Sequence, residues 1–442
     1  MNTPPEGKFP VVKLFLGLLV LVVTWSVNAQ PNHIDSIRYD APELAYFGDH
    51  DIGVRTLTFT EPGRPDVLGI KDGGELPLYD RSLTVEIWYP AELKEGQLPG
   101  GQYRVMSRNP EITATLHGKA VRDATALKSN GKFPLVIISH GYPGNRFLMS
   151  HLGENLASKG YVVASIDHRD STYDDIQAFP STLYNRPLDQ RFILNQLAKL
   201  SKDSDNFLNK IVDADNTALV GYSMGGYGLV NNIGGGFSDD IGSDNPSLKR
   251  LLNRHTTTHP DYRKQLDRRI KAGVAIAPWG MTSGYWRPED LHAIEVPALY
   301  ISGSVDIVAG YEKGTRAIFE NAVNSDRYLL TFQNAGHNAA APMPVPIEIL
   351  QSGDKINSRH YIDAVWDNLR MNNITAHFVT AFLDHKLKDD TVATTYLDLV
   401  PNAADGIYSV EEDKETPEHT YWKGFPRHSA MGLTLEHRLP GQ

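Results

Sequence analysis

The stretch Thr217-Ala218-Leu219-Val220-Gly221-Tyr222-Ser223-Met224-Gly225-Gly226-Tyr227-Gly228-Leu229-Val230-Asn231-Asn232 decides the fold. Its first six residues make an apolar run of strand length, and from Met224 to Asn232 the apolar residues recur at helical spacing. A serine therefore stands at the turn between a buried strand and a helix, with Gly221 before it and Gly225 after it. A G-x-S-x-G pattern is frequent by chance. At a strand-to-helix turn it makes a strained elbow that holds the serine Oγ out at the sheet edge. Side chains at Gly221 or Gly225 would obstruct the backbone that must pass close by. The alternative is an ordinary glycine-rich turn capping a helix.

Further short β-branched runs lie on either side: Leu83–Tyr89, Pro134–His140, Tyr161–Asp167, Ala272–Pro278, Pro297–Gly303 and Tyr328–Gln333. Helical patterns at Phe147–Lys159, Leu188–Lys199, Met224–Asn232 and Tyr311–Asn321 separate them. Strand and helix in alternation predict an α/β fold, a mostly parallel central sheet with helices on both faces. Pro62-Gly63, Gly73-Gly74 and threonine-rich alternation within Gly53–Asp80 predict antiparallel hairpins added at one edge. Residues 234–269 are rich in glycine and charge and too long for an ordinary connection, so they read as a surface insertion or a lid. The stretch His360–Leu387 reads as one or two helices packing on the sheet. The tail from Val400 looks irregular, although Tyr421, Trp422 and Phe425 imply that part of it docks.

A serine hydroxyl is a weak nucleophile and needs a base that is itself oriented by an acid. Asp306 falls just past the end of the run Pro297–Gly303, and His337 just past the following run. All strands of a parallel sheet present their carboxyl ends on one side, so Ser223, Asp306 and His337 are expected to converge there, in the order of the α/β-hydrolase fold. Taken singly, Asp306 reads equally well as a loop carboxylate and His337 as a helix cap. An oxyanion hole needs two backbone amides, and Met224, directly after the serine, supplies the first. The second is expected from Tyr142 in Ser139-His140-Gly141-Tyr142-Pro143-Gly144, because Pro143 has no N–H. His140 is expected to order this loop rather than serve as the base. Trp279, past the end of another strand, reads as a pocket wall or as a core residue. His255 and His259 stand four apart, the spacing of two metal ligands on one helical face, but no glutamate follows His255 and Pro260 ends the pattern; they read as surface residues. Asp239, Asp240 and Asp244 read as a solvated acidic loop in preference to a calcium site.

The chain has 442 residues, 41% hydrophobic and 22% charged, which suits a globular enzyme. It contains no cysteine, which excludes disulfides, a thiol nucleophile and cysteine-bound metals. Lys8 and Lys13 precede the apolar run Leu14–Val23 and the small-residue site Val27-Asn28-Ala29, so residues 1–29 read as a signal peptide, with an uncleaved anchor as the alternative. Export to the periplasm or the cell exterior follows from the first reading. The net charge is −10, and removal of Lys8, Lys13 and Glu6 makes it one unit more negative, which argues against a nucleic-acid partner. Residues 30–442 are expected to form a single domain with a core over about 50–390 and a C-terminal extension over 391–442.

The entry Gly53-Val54-Arg55 with Arg64-Pro65-Asp66, the run Val85-Glu86-Ile87-Trp88-Tyr89-Pro90, the loop Ser139-His140-Gly141 and the run Asp167-His168-Arg169-Asp170-Ser171 together resemble bacterial relatives of platelet-activating factor acetylhydrolase and dienelactone-hydrolase-like esterases. The likeness runs from Gly53 to about His337, with Asn373–Leu387 resembling the closing helix of such enzymes. It implies a serine carboxylic-ester hydrolase working through an acyl-enzyme on short-acyl esters, extending to sn-2 acetyl groups of phospholipids, with transient contact to a lipid interface and no cofactor. Dienelactone hydrolases use a cysteine nucleophile, which this chain lacks. Tyr222-Ser223-Met224, Tyr142 and Ala277-Pro278-Trp279 also resemble cutinase-type polyester hydrolases. A non-catalytic binding module of the same fold is the competing class, and an intact Ser, Asp and His set argues against it.

Overall fold

The computed structural model describes residues 32–71, 75–241, 246–412 and 414–442, together with Met1. The signal-peptide reading of residues 1–29 therefore falls, Met1 apart, outside the described residues, as does Asp244.

Nine strands carry the architecture: β1 (Asp51–Pro65), β2 (Leu78–Glu92), β3 (Phe133–Ser139), β4 (Val162–Asp167), β5 (Val212–Tyr222), β6 (Ile270–Ile276), β7 (Ala298–Gly303), β8 (Arg327–Phe332) and β9 (Leu433–Arg438). They lie in the order β9-β8-β7-β6-β5-β3-β4-β2-β1. The six from β3 to β8 are mutually parallel, whereas β1, β2 and β9 run antiparallel to their neighbours at the two edges. This is the expected mostly parallel sheet, with the β1–β2 hairpin at one edge.

Adjacent residues of each central strand feed opposite cores. Val136, Ile138, Val163, Val220 and Leu330 pack with helices α1 (Ser150–Ser158) and α5 (Asn368–Leu387). Leu135, Ile137, Ala164, Leu219 and Leu329 pack with α2 (Phe179–Leu200), α3 (Met224–Ile233) and α4 (Ala317–Asn321). Strands buried on both faces need continuous apolar runs, and each such side chain contributes about 1.5–3 kcal/mol by leaving water. The chain goes from β3 outward to β4 on one side, then returns through α2 to β5 on the other. That reversal opens a crevice between the carboxyl ends of β3 and β5, where α/β sheets bind ligands.

Two elements differ from the sequence expectation. Helix α2 begins at Phe179 rather than near Leu188 and runs straight through Pro187. A proline inside a helix orphans the carbonyl four residues back, here that of Leu183. The Tyr227 hydroxyl of α3 donates to that carbonyl at 3.0 Å, so the interruption is repaired from a neighbouring helix. The tail is more regular than expected: β9 pairs with β8 from Arg327↔Arg438 to Phe332↔Leu433, and Trp422 and Phe425 are buried against α5. The described part of 234–269 docks Phe237, Ile241 and Leu252 into the core on the α2–α3 side, and Tyr262 is buried as well. His255 is likewise not a surface residue. Its ring packs edge-on to Phe237 and its Nε2 is buried, because the segment folds back onto α2 and α3. The His259 Nδ1 accepts from the Asp261 amide and stays local.

Candidate active site

Strand β5 ends at Tyr222 and helix α3 begins at Met224, leaving Ser223 alone to make the turn at φ +52° and ψ −111°. A non-glycine residue held there costs about 1–3 kcal/mol, so the surroundings must impose it. They do so by closeness. A Cβ on Gly221 would lie 2.3 Å from the Gly225 carbonyl oxygen, and one on Gly225 would lie 1.9 Å from the Ser139 carbonyl oxygen at the end of β3. Only glycine at both positions lets the elbow sit this tightly against the β3 loop.

The structure brings Ser223, Asp306 and His337 together. The His337 Nδ1–H donates to Asp306 Oδ2 at 2.8 Å, which leaves Nε2 to accept from the Ser223 hydroxyl at 3.0 Å. The Asp306 side chain is fully buried, and its other oxygen accepts from the amides of Val308 at 2.7 Å and Ala309 at 3.0 Å. Burial alone would raise the pKa of this carboxyl; the hydrogen bond and charge of His337 and the two amides more than offset it and hold it below the usual carboxylate value. The loops of acid and base are tied together, since Val305 N–H donates to Ala335 O at 3.0 Å and Asn334 N–H to Ser304 Oγ at 2.8 Å. Nucleophile and base are tied through their neighbours: the Tyr222 hydroxyl donates to Asn338 Oδ1 at 3.0 Å, and the Tyr222 ring lies 5.3 Å from that of His337.

Met224 and Tyr142 stand at the crevice, and neither amide has a protein acceptor among the described residues. A trans peptide points its N–H opposite to its C=O, so fixing the preceding carbonyl aims the amide. The Ser223 carbonyl accepts from Tyr227 N–H at 3.0 Å and Trp279 N–H at 3.1 Å, which turns Met224 N–H the other way, at the N-terminus of α3. The Gly141 carbonyl accepts from His140 Nδ1–H at 2.7 Å, and His140 Nε2 in turn accepts from His168 N–H at 3.1 Å. Both ring nitrogens of His140 are thus committed to ordering the loop, and burial pushes its pKa well below the ordinary imidazole value. Trp279 is partly buried; its ring meets Phe179 edge-on at 5.1 Å, and Phe179 meets Tyr142 at 5.2 Å, which forms one aromatic wall joined to the elbow through the Trp279 N–H on the Ser223 carbonyl.

A second Ser, His and Asp set, which sequence reasoning missed, lies beneath the first. Ser139 Oγ donates to His168 Nε2 at 2.8 Å, and His168 Nδ1–H to Asp189 Oδ2 at 3.0 Å. Its geometry resembles a catalytic relay, but its surroundings do not. Ser139 is 0% exposed against 8% for Ser223, and Asp189 is locked by Arg81, Nε to Oδ1 and Nη2 to Oδ2, each at 2.8 Å. Arg64 adds a third contact to Asp189 at 3.2 Å. This set is a buried brace joining β1, β2, the end of β3, the residue directly after β4, and α2. Its only sequence signal was the polar run Asp167–Ser171.

The family model of platelet-activating factor acetylhydrolase, isoform II, matches residues 81–191, which include the His140 loop and the first part of α2 but none of Ser223, Asp306 and His337. Cutinase est1 of Thermobifida alba is 26% identical over 214 residues, 48% of this chain and 56% of its own length. Platelet-activating factor acetylhydrolase of Bos taurus is 34% identical over 104 residues, 20% of this chain and 23% of its own. The chain thus spans about half the length of the first cutinase and less of the acetylhydrolase. A solved structure of a ferulic acid esterase from Streptomyces cinnamoneus shares the fold, with a TM-score of 0.52 and 19% identity over 81% of this chain and 94% of that one.

Proposed function

We propose that this chain, an α/β hydrolase of the esterase family that these relatives support, is a serine carboxylic-ester hydrolase that cleaves short-acyl esters through a covalent acyl-enzyme. The observation that carries the reading is the unbroken hydrogen-bonded line Asp306–His337–Ser223 at a strained strand-to-helix elbow. His337 Nε2 takes the Ser223 proton as Oγ adds to the ester carbonyl carbon. Asp306 holds the imidazole in the tautomer that leaves Nε2 free and stabilises the imidazolium. The carbonyl oxygen becomes an oxyanion and accepts from the Met224 and Tyr142 amides, which are already aimed. Collapse breaks the C–O bond, and the leaving alcohol takes the proton from His337. Water, deprotonated by the same histidine, then releases the acid. Each step uses groups of the chain itself, and the chemistry calls for no cofactor.

The cutinase matches, together with the aromatic wall Tyr142–Phe179–Trp279, favour a second reading of the substrate, an aromatic or aliphatic polyester. The basic and then apolar leader at Lys8–Val23 supports export, so a substrate outside the cytoplasm suits either reading. Initial rates on p-nitrophenyl acetate, butyrate and palmitate, an sn-2 acetyl phospholipid and a soluble polyester fragment discriminate between them. A kcat/KM highest for acetyl and butyryl esters supports the short-acyl reading, preference for the polyester fragment replaces it, and no turnover of any of the five overturns both.

A further inference from the structure

Arg186, on α2, is 1% exposed, and among the described residues its hydrogen-bond partners are all neutral. Its Nη1 donates to the His140 carbonyl, and its Nη2 to the Gly141 carbonyl at 3.4 Å and to Ser171 Oγ at 2.6 Å. Its Nε is buried with no partner among the described residues. An unpaired guanidinium is expensive to bury and needs a compensating role. Burial, and next the attraction of Asp189 against the repulsion of Arg81, leave its pKa at about 9, so it stays a cation at neutral pH.

Two consecutive carbonyls of the β3 loop point at this cation. Because the Gly141–Tyr142 peptide is planar and trans, the Tyr142 N–H must point away from Arg186. The loop itself runs beside the nucleophile, since a Cβ on Gly141 would lie 3.4 Å from Ser223 Cβ. A cation on an amide oxygen also draws electron density from the nitrogen and makes the N–H a stronger donor. The other oxyanion amide, that of Met224, has only neutral amides on the preceding Ser223 carbonyl among the described residues. We infer that Arg186 is a positioning residue of the oxyanion hole: it grips the His140 carbonyl and, together with His140 Nδ1–H, holds the Gly141 carbonyl, and thereby aims and strengthens the Tyr142 N–H. Gln190, one turn on, does similar work for the elbow by donating to the Gly225 carbonyl at 3.0 Å. Gly228 leaves the room both side chains need, because a Cβ there would sit 2.8 Å from Gln190 Nε2 and 2.9 Å from Arg186 Cγ.

The inference rests on Ser223 as nucleophile, so Ser223→Ala is assayed alongside; if that variant keeps its activity, the proposed function fails first and separately. Arg186→Met and Arg186→Lys are compared with wild type for kcat, for KM on p-nitrophenyl butyrate, and for inhibition by phenylboronic acid, whose tetrahedral adduct places an oxygen in the hole. Arg186→Met should lower kcat about 10²-fold with KM within about threefold, weaken the boronate in parallel, and be partly rescued by lysine, because a misaimed oxyanion donor acts on the transition state alone. A folded Arg186→Met with kcat within about threefold of wild type, or with a loss confined to KM, overturns the inference. If Arg186→Met fails to fold, Ser171→Ala decides. It removes one Arg186 partner and should lower kcat several-fold with KM steady, and an unchanged kcat overturns the inference.

Discussion

Gly225→Ala tests the packing that makes the site. The new methyl would lie 1.9 Å from the Ser139 carbonyl oxygen and 2.9 Å from that of His140, both backbone atoms without a rotamer to escape into. Real Cβ contacts do not fall under 3.0 Å, so the end of β3 and the elbow must part by roughly 1 Å. The Ser139 carbonyl is two peptides from Tyr142, so this displacement passes to one oxyanion donor and to the elbow itself. A misplacement of about 1 Å costs on the order of 10²-fold, and loss of an oxyanion donor about 10²–10³-fold. We expect kcat/KM on p-nitrophenyl acetate to fall by about 10²-fold or more, close to 3 kcal/mol of transition-state stabilisation, with about 1–3 kcal/mol lost from the fold by overpacking. Gly131→Ala, where a methyl meets nothing within 4 Å, serves as the control and should match wild type. A Gly225→Ala protein with native circular dichroism and kcat/KM within tenfold of wild type would refute the reasoning.

Asp306→Asn should lower kcat by about 10³–10⁴-fold, measured by single-turnover kinetics, because an amide facing His337 Nδ1 favours the tautomer with the proton on Nε2. Ser139→Ala should keep kcat within about tenfold, since that hydroxyl serves only His168 in the buried brace; a total loss would make the brace the reactive set. Trp279→Ala should raise KM for aromatic esters by several-fold while Ser223 still labels, because the wall it shares with Phe179 is removed. Acid stability follows from His140, His151, His168 and His377, all buried and held neutral by burial, the last three with pKa values pushed down to about 3. Unfolding frees them to protonate below about pH 6.5, so the unfolded chain binds more protons and stability falls with pH from there towards pH 3. Each contributes up to about 1.4 kcal/mol per pH unit, so the urea midpoint should drop steeply between pH 7 and pH 5. A flat midpoint over that range would contradict their burial as neutral groups.

Ser223, Asp306 and His337 were legible because each stands where an apolar run stops, and a parallel sheet turns such ends into neighbours. Met224 and Tyr142 followed from the same logic, with Pro143 excluded for want of an N–H. Arg186, Asp189 and Gln190 were not legible. Charged and amide side chains three and four apart on a helix read as a solvated face, and nothing local shows that this face is turned onto the β3 loop and the elbow. Pro187 concealed the first half of α2, because its repair comes from Tyr227 on another helix, forty residues on in sequence. Strand β9 was concealed by Glu436-His437-Arg438, an edge sequence whose burial lapses towards its end.

The central claim is that Ser223, rather than the buried Ser139, is the nucleophile, and a fluorophosphonate tests it most directly. Intact-mass analysis followed by peptide mapping should find one adduct per chain, on Ser223, lost in Ser223→Ala and retained in Ser139→Ala. An adduct on Ser139, or an unlabelled wild-type protein under conditions where a known serine esterase labels fully, would contradict the account.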